Sequence, residues 1–393
     1  MGACRPAADK EWSVTFKDDL EFLKRHKPVI VLADDSGLMQ AVLVADWQGR
    51  IVTSTAEGET GPSFGWINRR LVASGERQEH INVFGGEDRF WLGPEGGQYS
   101  IFFSPGSPFD LEHWFVPAAI DWDPFRTVSV ERSRAVFQSE MILRNFSGAE
   151  FRLEVLRKIR LLGRREVGGL LGTALAADLK LAAFESANTI KNTGPREWSK
   201  ETGLLSIWIL GMFNPSPETV IVIPFRQGSE EELGPVVNDA YFGKVPDDRL
   251  SVGEGVLFFS GDGAYRSKIG LSPRRARPVM GSYDGSNEVL TLVQYTLPEG
   301  AADYVNSMWE HQKEPYRGDV VNSYNDGPAA PGAELLGPFY ELETSSPAAA
   351  LKPGQVLTHV HRTIHLRGPE RALDRVARSV LGVPLADIKK ALQ

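Results

Sequence analysis

The sequence predicts an all-β protein in which antiparallel strands form stacked sheets and a few helices lie at the periphery. Short apolar or aromatic runs are separated by Gly, Pro, Asn or Asp at roughly ten-residue intervals along most of the chain. Residues 135–145 and 150–162 alternate apolar and polar side chains on either side of Ser147-Gly148, which is a hairpin pattern. The number of such runs favours stacked sheets over a small barrel, and the absence of a repeat of about 20–50 residues argues against a propeller.

A flexible tail at residues 1–15 is predicted to precede one domain at 16–393. The first element is a surface helix at 16–27, because Phe16, Leu20 and Leu23 share one helical face and Pro28 ends it. Strands are predicted at 29–32, 38–45, 49–54, 99–103, 127–132, 135–145, 150–162, 182–191, 204–213, 219–225, 255–260, 266–269, 279–284, 288–296, 339–344 and 356–366. Helices are predicted at 304–312, 370–381 and 385–392. Residues 164–183 are rich in Ala and Leu, but the glycines within them weaken a helix.

Charge and composition narrow the classes of partner. The chain has 393 residues, and its 43 Lys and Arg against 51 Asp and Glu give a net charge of −8. The basic residues form no long run, which argues against nucleic-acid binding. No apolar run approaches the roughly 18 residues of a membrane-spanning segment.

The single cysteine, Cys4, rules out an internal disulfide and a metal site built on cysteines. It stands in Met1-Gly2-Ala3-Cys4, which is similar to the end of a bacterial lipoprotein signal without its hydrophobic part. This slightly favours a periplasmic location, or a lipid anchor at Cys4, over the cytoplasm. The alternative is an incidental cysteine in a tail.

Residues 85–98, GGEDRFWLGPEGGQ, are the most unusual stretch of the chain. Five of the fourteen are Gly, which indicates unusual backbone angles or a close approach of the backbone. Carboxylates, Arg and an indole are the groups that hold polyhydroxylated ligands. The candidate ligand-binding residues here are Glu87, Arg89, Trp91, Glu95 and Gln98, with Asp88 beside them. A tight double turn held by ion pairs among its own residues is an alternative to a ligand-binding loop, and the composition supports the two equally.

Two later clusters also carry polar side chains in patterns that suit a site. Glu341 and Glu343 are two residues apart, so on a strand they share one face; an ordinary solvated face is the alternative. His359 and His361 also share one face of a strand. They are interpreted either as part of a polar strand face or as a pair of metal ligands, for which no third ligand is evident from the spacing. Asn325-Asp326 precedes Gly327-Pro328, and the first interpretation of these residue types is a turn.

Several enzyme classes are excluded by missing motifs. The chain has no phosphate-binding P-loop, no dinucleotide-binding glycine pattern, no H-E-x-x-H and no G-x-S-x-G. The remaining carboxylates, aromatics and seven histidines suit acid/base chemistry on a sugar.

In order along the chain, these clusters resemble the aldose 1-epimerase, or galactose mutarotase-like, superfamily. Asn68-Arg69-Arg70 resembles its early NRI segment, and His80 with Gly85-Gly86 resembles the His and Gly-Gly turn that follow. Residues 188–194, NTIKNTG, are similar to its strand ending in an N-T-G turn. The late L-E-T, Pro and L-x-P-G segments match Leu342-Glu343-Thr344, Pro347 and residues 351–355. The 85–98 core resembles an uncharacterised bacterial branch of that superfamily.

The resemblance implies a β-supersandwich that binds a sugar in a cleft. It implies that Glu343 is the base on the anomeric hydroxyl and that Arg69 and His80 contact sugar hydroxyls. The superfamily's proton-donating His is missing, because Ser206-Ile207-Trp208 stand at its place. His113, His359 or His361 would have to supply the proton, or the chemistry differs.

These residues predict a carbohydrate-active protein. The leading hypothesis is an aldose 1-epimerase-like enzyme that acts on a mono- or oligosaccharide without a cofactor. The alternatives are a polysaccharide lyase or glycoside hydrolase, with Tyr324 and Arg89 as candidate groups, and a non-catalytic glycan-binding lipoprotein. Bound Ca²⁺ at Glu87, Asp88 and Asp326 is a weaker expectation than no metal.

Overall fold

The computed structural model describes residues 14–328 and 336–393. These residues form eighteen strands and seven α-helices. The strands are β1 (Ile30–Ala33), β2 (Gln40–Val44), β3 (Arg50–Thr55), β4 (Arg89–Gly93), β5 (Arg126–Glu131), β6 (Arg134–Arg144), β7 (Glu150–Leu161), β8 (Lys180–Asn192), β9 (Ser206–Phe213), β10 (Thr219–Pro224), β11 (Leu250–Val252), β12 (Val256–Ser260), β13 (Ser267–Leu271), β14 (Val279–Asp284), β15 (Val289–Tyr295), β16 (Val321–Asn325), β17 (Tyr340–Ser345) and β18 (Val356–Arg367). The helices are α1 (Phe16–His26), α2 (Arg69–Ser74), α3 (Ala118–Asp121), α4 (Arg164–Leu171), α5 (Glu230–Leu233), α6 (Glu370–Val380) and α7 (Leu385–Ile388).

The strands form three antiparallel sheets. The large sheet has ten strands in the order β11-β12-β10-β14-β15-β18-β8-β7-β6-β5. A five-stranded sheet has the order β13-β16-β17-β9-β4, and a small sheet has the order β1-β2-β3. The predicted fold class, stacked antiparallel sheets with few helices, is confirmed.

The core lies between the five-stranded sheet and the large sheet. Phe90 and Ile209 lie directly opposite each other on β4 and β9, and both pack in one buried cluster with Phe137 and Val155 of the large sheet. The residues that alternate with Phe90 and Ile209 point to the other face of the five-stranded sheet. That outer face carries the candidate site described below.

Helices α4, α6 and α7 cover the outer face of the large sheet. Leu373 and Val376 of α6 are buried against Leu290 and Leu366 of the large sheet. The apolar face predicted for residues 370–381 therefore docks on a sheet, since an amphipathic helix is stabilised mainly by burying that face. Within the described parts of the chain, no helix has the length and apolar character needed to cross a membrane.

Several predicted elements need correction. Residues 304–312 are not a helix, because Tyr304 pairs in a bridge with Arg317 and the Gln312 side chain binds the carbonyls of Asn306 and Met308. Residues 99–103 are not a strand either; only Phe103 forms a bridge, with Trp114. Residues 85–98, which the composition predicts to be a loop or a tight turn, contain the buried strand β4. The ambiguous segment at 164–183 holds a helix only as far as Leu171, and the last predicted helix ends at Ile388.

Most of the predicted tail, including Cys4 and the proposed lipid anchor, lies outside the described residues. Helix α1 begins where the pattern predicts. Thr15 caps it, with its hydroxyl accepting from the Asp18 amide and its own amide donating to the Asp18 carboxylate, which is a capping box.

Candidate functional site

The outer face of the five-stranded sheet collects polar residues from four of its strands, β13, β16, β17 and β4. Tyr324 lies opposite both Lys268 and Glu341, on β13 and β17. Two residues further along β17, Glu343 lies opposite Asn322 of β16. On its other side Glu343 lies opposite Leu210 of β9, and Leu210 in turn lies opposite Arg89 of β4. Residues directly opposite in antiparallel strands share a face, so these side chains point to the same side.

A cavity of about 530 Å³ lies over this face. Its charged and polar walls come from the sheet and from the loops around it: His80, Arg89, Glu95, Glu112, Arg266, Lys268, Asp326 and Glu341. Its aromatic walls are Trp91, Trp114, Trp208, Phe242, Trp309, Tyr324 and Phe339. This combination of apolar walls with a few converging polar groups is typical of a small-molecule site.

Two buried pairs, each of a cation and a carboxyl, form the floor. Arg89 Nη2 donates to Glu341 Oε1 at 3.0 Å, and the Arg89 guanidinium lies 4.1 Å from the centre of the Trp91 ring. Lys268 Nζ donates to Glu343 Oε2 at 3.2 Å, and that oxygen also accepts from Trp208 Nε1 at 2.9 Å. The floor therefore holds two carboxyls and two cations in an environment with little water.

Glu341 is a carboxyl on the cavity wall whose acidity is strongly altered. Burial raises the pKa of Glu341 to about 8; the positive charge of Arg89 opposes this shift, while the negative charge of Glu343 and a hydrogen bond between the two carboxyls add to it. A carboxyl with this pKa keeps its proton at neutral pH and is able to act as an acid.

Two further carboxyls of the cavity are shifted in the same direction. Burial raises the pKa of Glu95 and that of Asp326. The charges of Lys268 and Arg266 offset part of the shift of Glu95, and hydrogen bonds from the Gly337 amide and the Tyr324 hydroxyl, with the charge of Arg266, offset part of the shift of Asp326. The Tyr324 hydroxyl donates to Asp326 Oδ1 at 2.9 Å. Burial, with the Asp326 charge and this hydrogen bond, raises the pKa of Tyr324 well above its ordinary value.

Seven of the residues predicted from the sequence line this cavity together: His80, Arg89, Trp91, Glu95, Tyr324, Asp326 and Glu341. Glu343, predicted as the base, is fully buried beside Glu341 and is not among the lining residues. One of its carboxylate oxygens, Oε1, has no hydrogen-bond partner among the described residues.

Other predicted residues lie elsewhere in the fold. Arg69 pairs with Asp19 at 2.6 Å near α1, and Gln98 binds the backbone of Gln312. Asn325 binds Asp262 and the amide of Gly263 at the edge strand. Each of these side chains satisfies local structure and does not reach the cavity wall.

The histidines proposed as proton donors are also engaged away from the cavity. His113 pairs with Asp110 at 2.6 Å on the surface. His359 and His361 are buried between the two larger sheets, where the imidazole ring of each forms a hydrogen bond with the Thr344 hydroxyl. Glu87 lies in the same interior and pairs with His365 at 2.7 Å.

The residues suggested for Ca²⁺ do not converge. Glu87 pairs with His365, Asp88 pairs with Arg157, and Asp326 binds Tyr324. Across residues 14–328 and 336–393, no group of three or more His, Cys, Asp or Glu side chains is arranged to hold a metal ion.

Sequence reasoning missed several residues of the site. Lys268 lies in a strand that was recognised, but nothing in its local pattern marks it as functional. Trp208 lines the cavity as an aromatic wall. Trp114 and Trp309 lie in segments assigned to loop and helix, so their convergence depends on loop conformation alone.

Structural comparisons place this architecture among known proteins. The Slr1438 protein from Synechocystis sp. PCC 6803 is 12% identical, with a TM-score of 0.51 over 86% of this chain and 96% of its own. A galactose mutarotase related enzyme from Lactobacillus acidophilus is 10% identical, with a TM-score of 0.46 over 87% and 98%. A galactose mutarotase-like protein from Lactobacillus casei ATCC 334 is 11% identical, with a TM-score of 0.47 over 86% and 100%. The predicted resemblance to the galactose mutarotase-like superfamily is confirmed as a resemblance of fold.

Sequence comparisons give a narrower assignment. A comparison with curated proteins finds no match. Residues 14–392 match the model of a family of unknown function, DUF6786, and the chain belongs to that family.

Proposed function

We propose that this protein is a carbohydrate-active enzyme that catalyses acid/base chemistry at the anomeric carbon of a sugar, as an aldose 1-epimerase does. The observation that carries the proposal is the Glu341 carboxyl, which lines an aromatic cavity, pairs with Arg89 and has a pKa raised by burial to about 8. Such a group is a proton donor at neutral pH.

The walls of the cavity suit a sugar ring. Indole faces pack against the apolar face of a pyranose, while carboxylates and Arg bind its hydroxyls. Trp91, Trp114 and Trp208 supply the first kind of surface, and Glu95, Asp326 and His80 supply the second.

In the proposed step, Glu341 donates its proton to the ring oxygen while the bond from that oxygen to the anomeric carbon breaks. A second group takes the proton of the anomeric hydroxyl, so the open-chain aldehyde forms, and closure from the other face reverses both transfers. Glu95 lines the cavity, and a carboxylate whose pKa is raised is a suitable base. Glu343, the residue at the superfamily's base position, binds Lys268 and Trp208 here, so we assign it to holding charge next to Glu341.

Polarimetry tests the proposal. Purified protein is added to freshly dissolved α-anomers of a broad panel of aldoses, and the change in optical rotation is followed. We expect mutarotation above the spontaneous rate, and a loss of about 10²–10⁴-fold in Glu341→Gln, the range for a general acid. Glu254→Gln is the matched control, since Glu254 is exposed and lies outside the cavity. Spontaneous rates across the whole panel, with saturable sugar binding that survives Glu341→Gln, would instead identify a non-catalytic glycan-binding protein.

The lyase alternative has less support. A Tyr that removes a proton from a uronate needs a lowered pKa, whereas burial and Asp326 raise the pKa of Tyr324. Release of unsaturated uronate products or of reducing ends from oligosaccharides would nevertheless favour a lyase or a hydrolase over an epimerase.

A further inference from the structure

A side pocket of about 140 Å³ adjoins the main cavity. The two share Glu95, Arg266, Lys268, Phe242 and Trp309, and the side pocket extends beyond them to Tyr241 and Ser307. A substituent on a ring bound in the main cavity would reach this pocket through the shared wall.

Arg266 is a half-buried cation without an anionic partner among residues 14–328 and 336–393. Its guanidinium stacks on the Phe242 ring at 3.8 Å from the ring centre, and none of the described residues forms a hydrogen bond or an ion pair with it. Stacking leaves the N–H groups at the edge of a guanidinium free to donate. Asp326 and Glu95 are near enough for Arg266 to offset part of the pKa increase that burial causes in each, yet neither lies within ion-pair distance.

Lys268 supplies a second cation to the same pocket. Its ammonium group donates to Glu343, and it lies 4.7 Å from the centre of the Trp208 ring and 5.4 Å from that of Tyr241. An ammonium group has three N–H donors, so further donors remain for a ligand.

The main cavity shows the same preference for acceptors. Among its lining residues, the buried polar side-chain atoms without a partner are all N–H donors: Nε and Nη1 of Arg89, Nε1 of Trp91 and Nε1 of Trp114. An unpaired buried donor is costly, and a ligand that brings acceptor oxygens, with a small adjustment of these side chains, would remove that cost.

We propose that the sugar bound by this protein carries an anionic oxygen group, a carboxylate or a phosphate, that lies in the side pocket against Arg266 and Lys268. The inference rests on the proposed function for the sugar itself. Glu95 stands in the same pocket, where the charges of Lys268 and Arg266 both counteract the rise that burial causes in its pKa, so two cations accompany this one carboxyl.

Calorimetric titration of the full chain with four kinds of sugar tests the inference. The probes are glucuronate and galacturonate, glucose 6-phosphate, the neutral parents glucose and galactose, and glucosamine. We expect at least one acidic sugar to bind about tenfold or more tightly than its neutral parent, because a charge-assisted hydrogen bond has that magnitude. The uronate and phosphate titrations show which anion the pocket accepts.

Variants of Arg266 locate the effect. Arg266→Gln should lose most of the preference for the acidic sugar over its neutral parent, whereas Arg266→Lys should retain part of that preference. Arg375→Gln removes the same charge from an exposed position on α6 and should change neither affinity. Thermal unfolding of each variant checks that it is folded.

The outcomes separate this inference from the proposed function. Equal or tighter binding of neutral sugars, or a preference for glucosamine, overturns the anionic substrate and keeps a sugar site. A preference for acidic sugars that persists in folded Arg266→Gln overturns the side pocket as its cause. No binding of any of these sugars, together with no mutarotation, overturns both proposals.

Discussion

Glu341 acquires its acidity from its neighbours more than from its own residue type. Burial removes water from its charged form, the adjacent Glu343 disfavours a second negative charge, and Arg89 only partly offsets these two effects. Two carboxyls in contact on a shielded sheet face cannot both ionise without cost, and the one next to the cavity keeps the proton.

This predicts a pH profile for catalysis. Because Glu341 is the proposed donor and is protonated below its pKa of about 8, kcat/KM should be sustained below that pH and fall as the pH rises through it. Mutarotation rates between pH 6 and pH 10, corrected for the spontaneous reaction, check this. A flat profile through pH 8 would assign the proton transfer to another group.

Lys268 and Glu343 form a deeply buried pair of the floor, with side chains 8% and 0% exposed. Lys268→Met leaves the Glu343 charge buried without its cation, so we expect a loss of about 3–5 kcal/mol of unfolding free energy. The double variant Lys268→Met/Glu343→Gln removes both charges and should recover most of it. Urea unfolding measures the three proteins, and no recovery in the double variant would show that packing, not charge, dominates.

At the scale of elements, β4 explains the unusual composition of residues 85–98. The strand itself, Arg89–Gly93, is buried and carries Arg89 and Trp91 to the outer face. The glycines before it serve the entry to the strand. Gly85 has a φ of +94°, and a Cβ there would lie 2.1 Å from the Trp66 carbonyl oxygen. The high glycine content of residues 85–98 therefore reflects a close approach of two backbone segments.

A pair of glycine substitutions tests this account. Gly85→Ala meets both the left-handed φ and the backbone clash, so we expect a loss of several kcal/mol or failure to fold. Gly106 also has a positive φ, of +81°, but a Cβ added there meets nothing within 4 Å. Gly106→Ala should therefore cost only about 1 kcal/mol. Equal losses of thermal stability in the two variants would contradict the close-approach explanation.

At the scale of the whole molecule, the two larger sheets meet through a polar layer as well as through apolar side chains. Glu87 pairs with His365, Asp88 pairs with Arg157, and Thr344 binds His359 and His361. Burial lowers the pKa of His359 to about 3 and that of His361 to about 4, so both remain neutral in the folded protein at neutral pH.

These two histidines should make the fold sensitive to acid. Their pKa is 6.5 when exposed, so the unfolded chain takes up protons between pH 6.5 and about 3–4 while the folded chain does not. Stability is complete above pH 6.5 and falls below it by about 1.4 kcal/mol per pH unit for each histidine. Other buried carboxyls titrate as well, so the test is a difference: His359→Gln should show a shallower decline of unfolding free energy than the parent protein over this range. Parallel curves would mean that His359 does not titrate in the unfolded chain as expected.

The prediction of strands succeeded where alternation and turns are local. Residues 135–145 and 150–162 were recognised as a hairpin from side chains that lie within one strand length of each other, and they form β6 and β7. The helix predicted at 304–312 failed because its apolar spacing is also satisfied by a loop that packs over the cavity, with Tyr304 and Gln312 held by distant partners.

The sequence by itself determined the β architecture, the common face of Glu341 and Glu343, and the choice of Arg89 and Trp91 as candidate site residues, because strand periodicity and residue chemistry are local properties. Only the tertiary structure decided which of the two carboxyls lines the cavity and which cations accompany them. Arg89 and Glu341 are 252 residues apart in the chain, and Lys268 and Glu343 are 75 apart. Strand order joins these residues in one sheet, and strand order depends on the packing of the whole core, which no local pattern encodes.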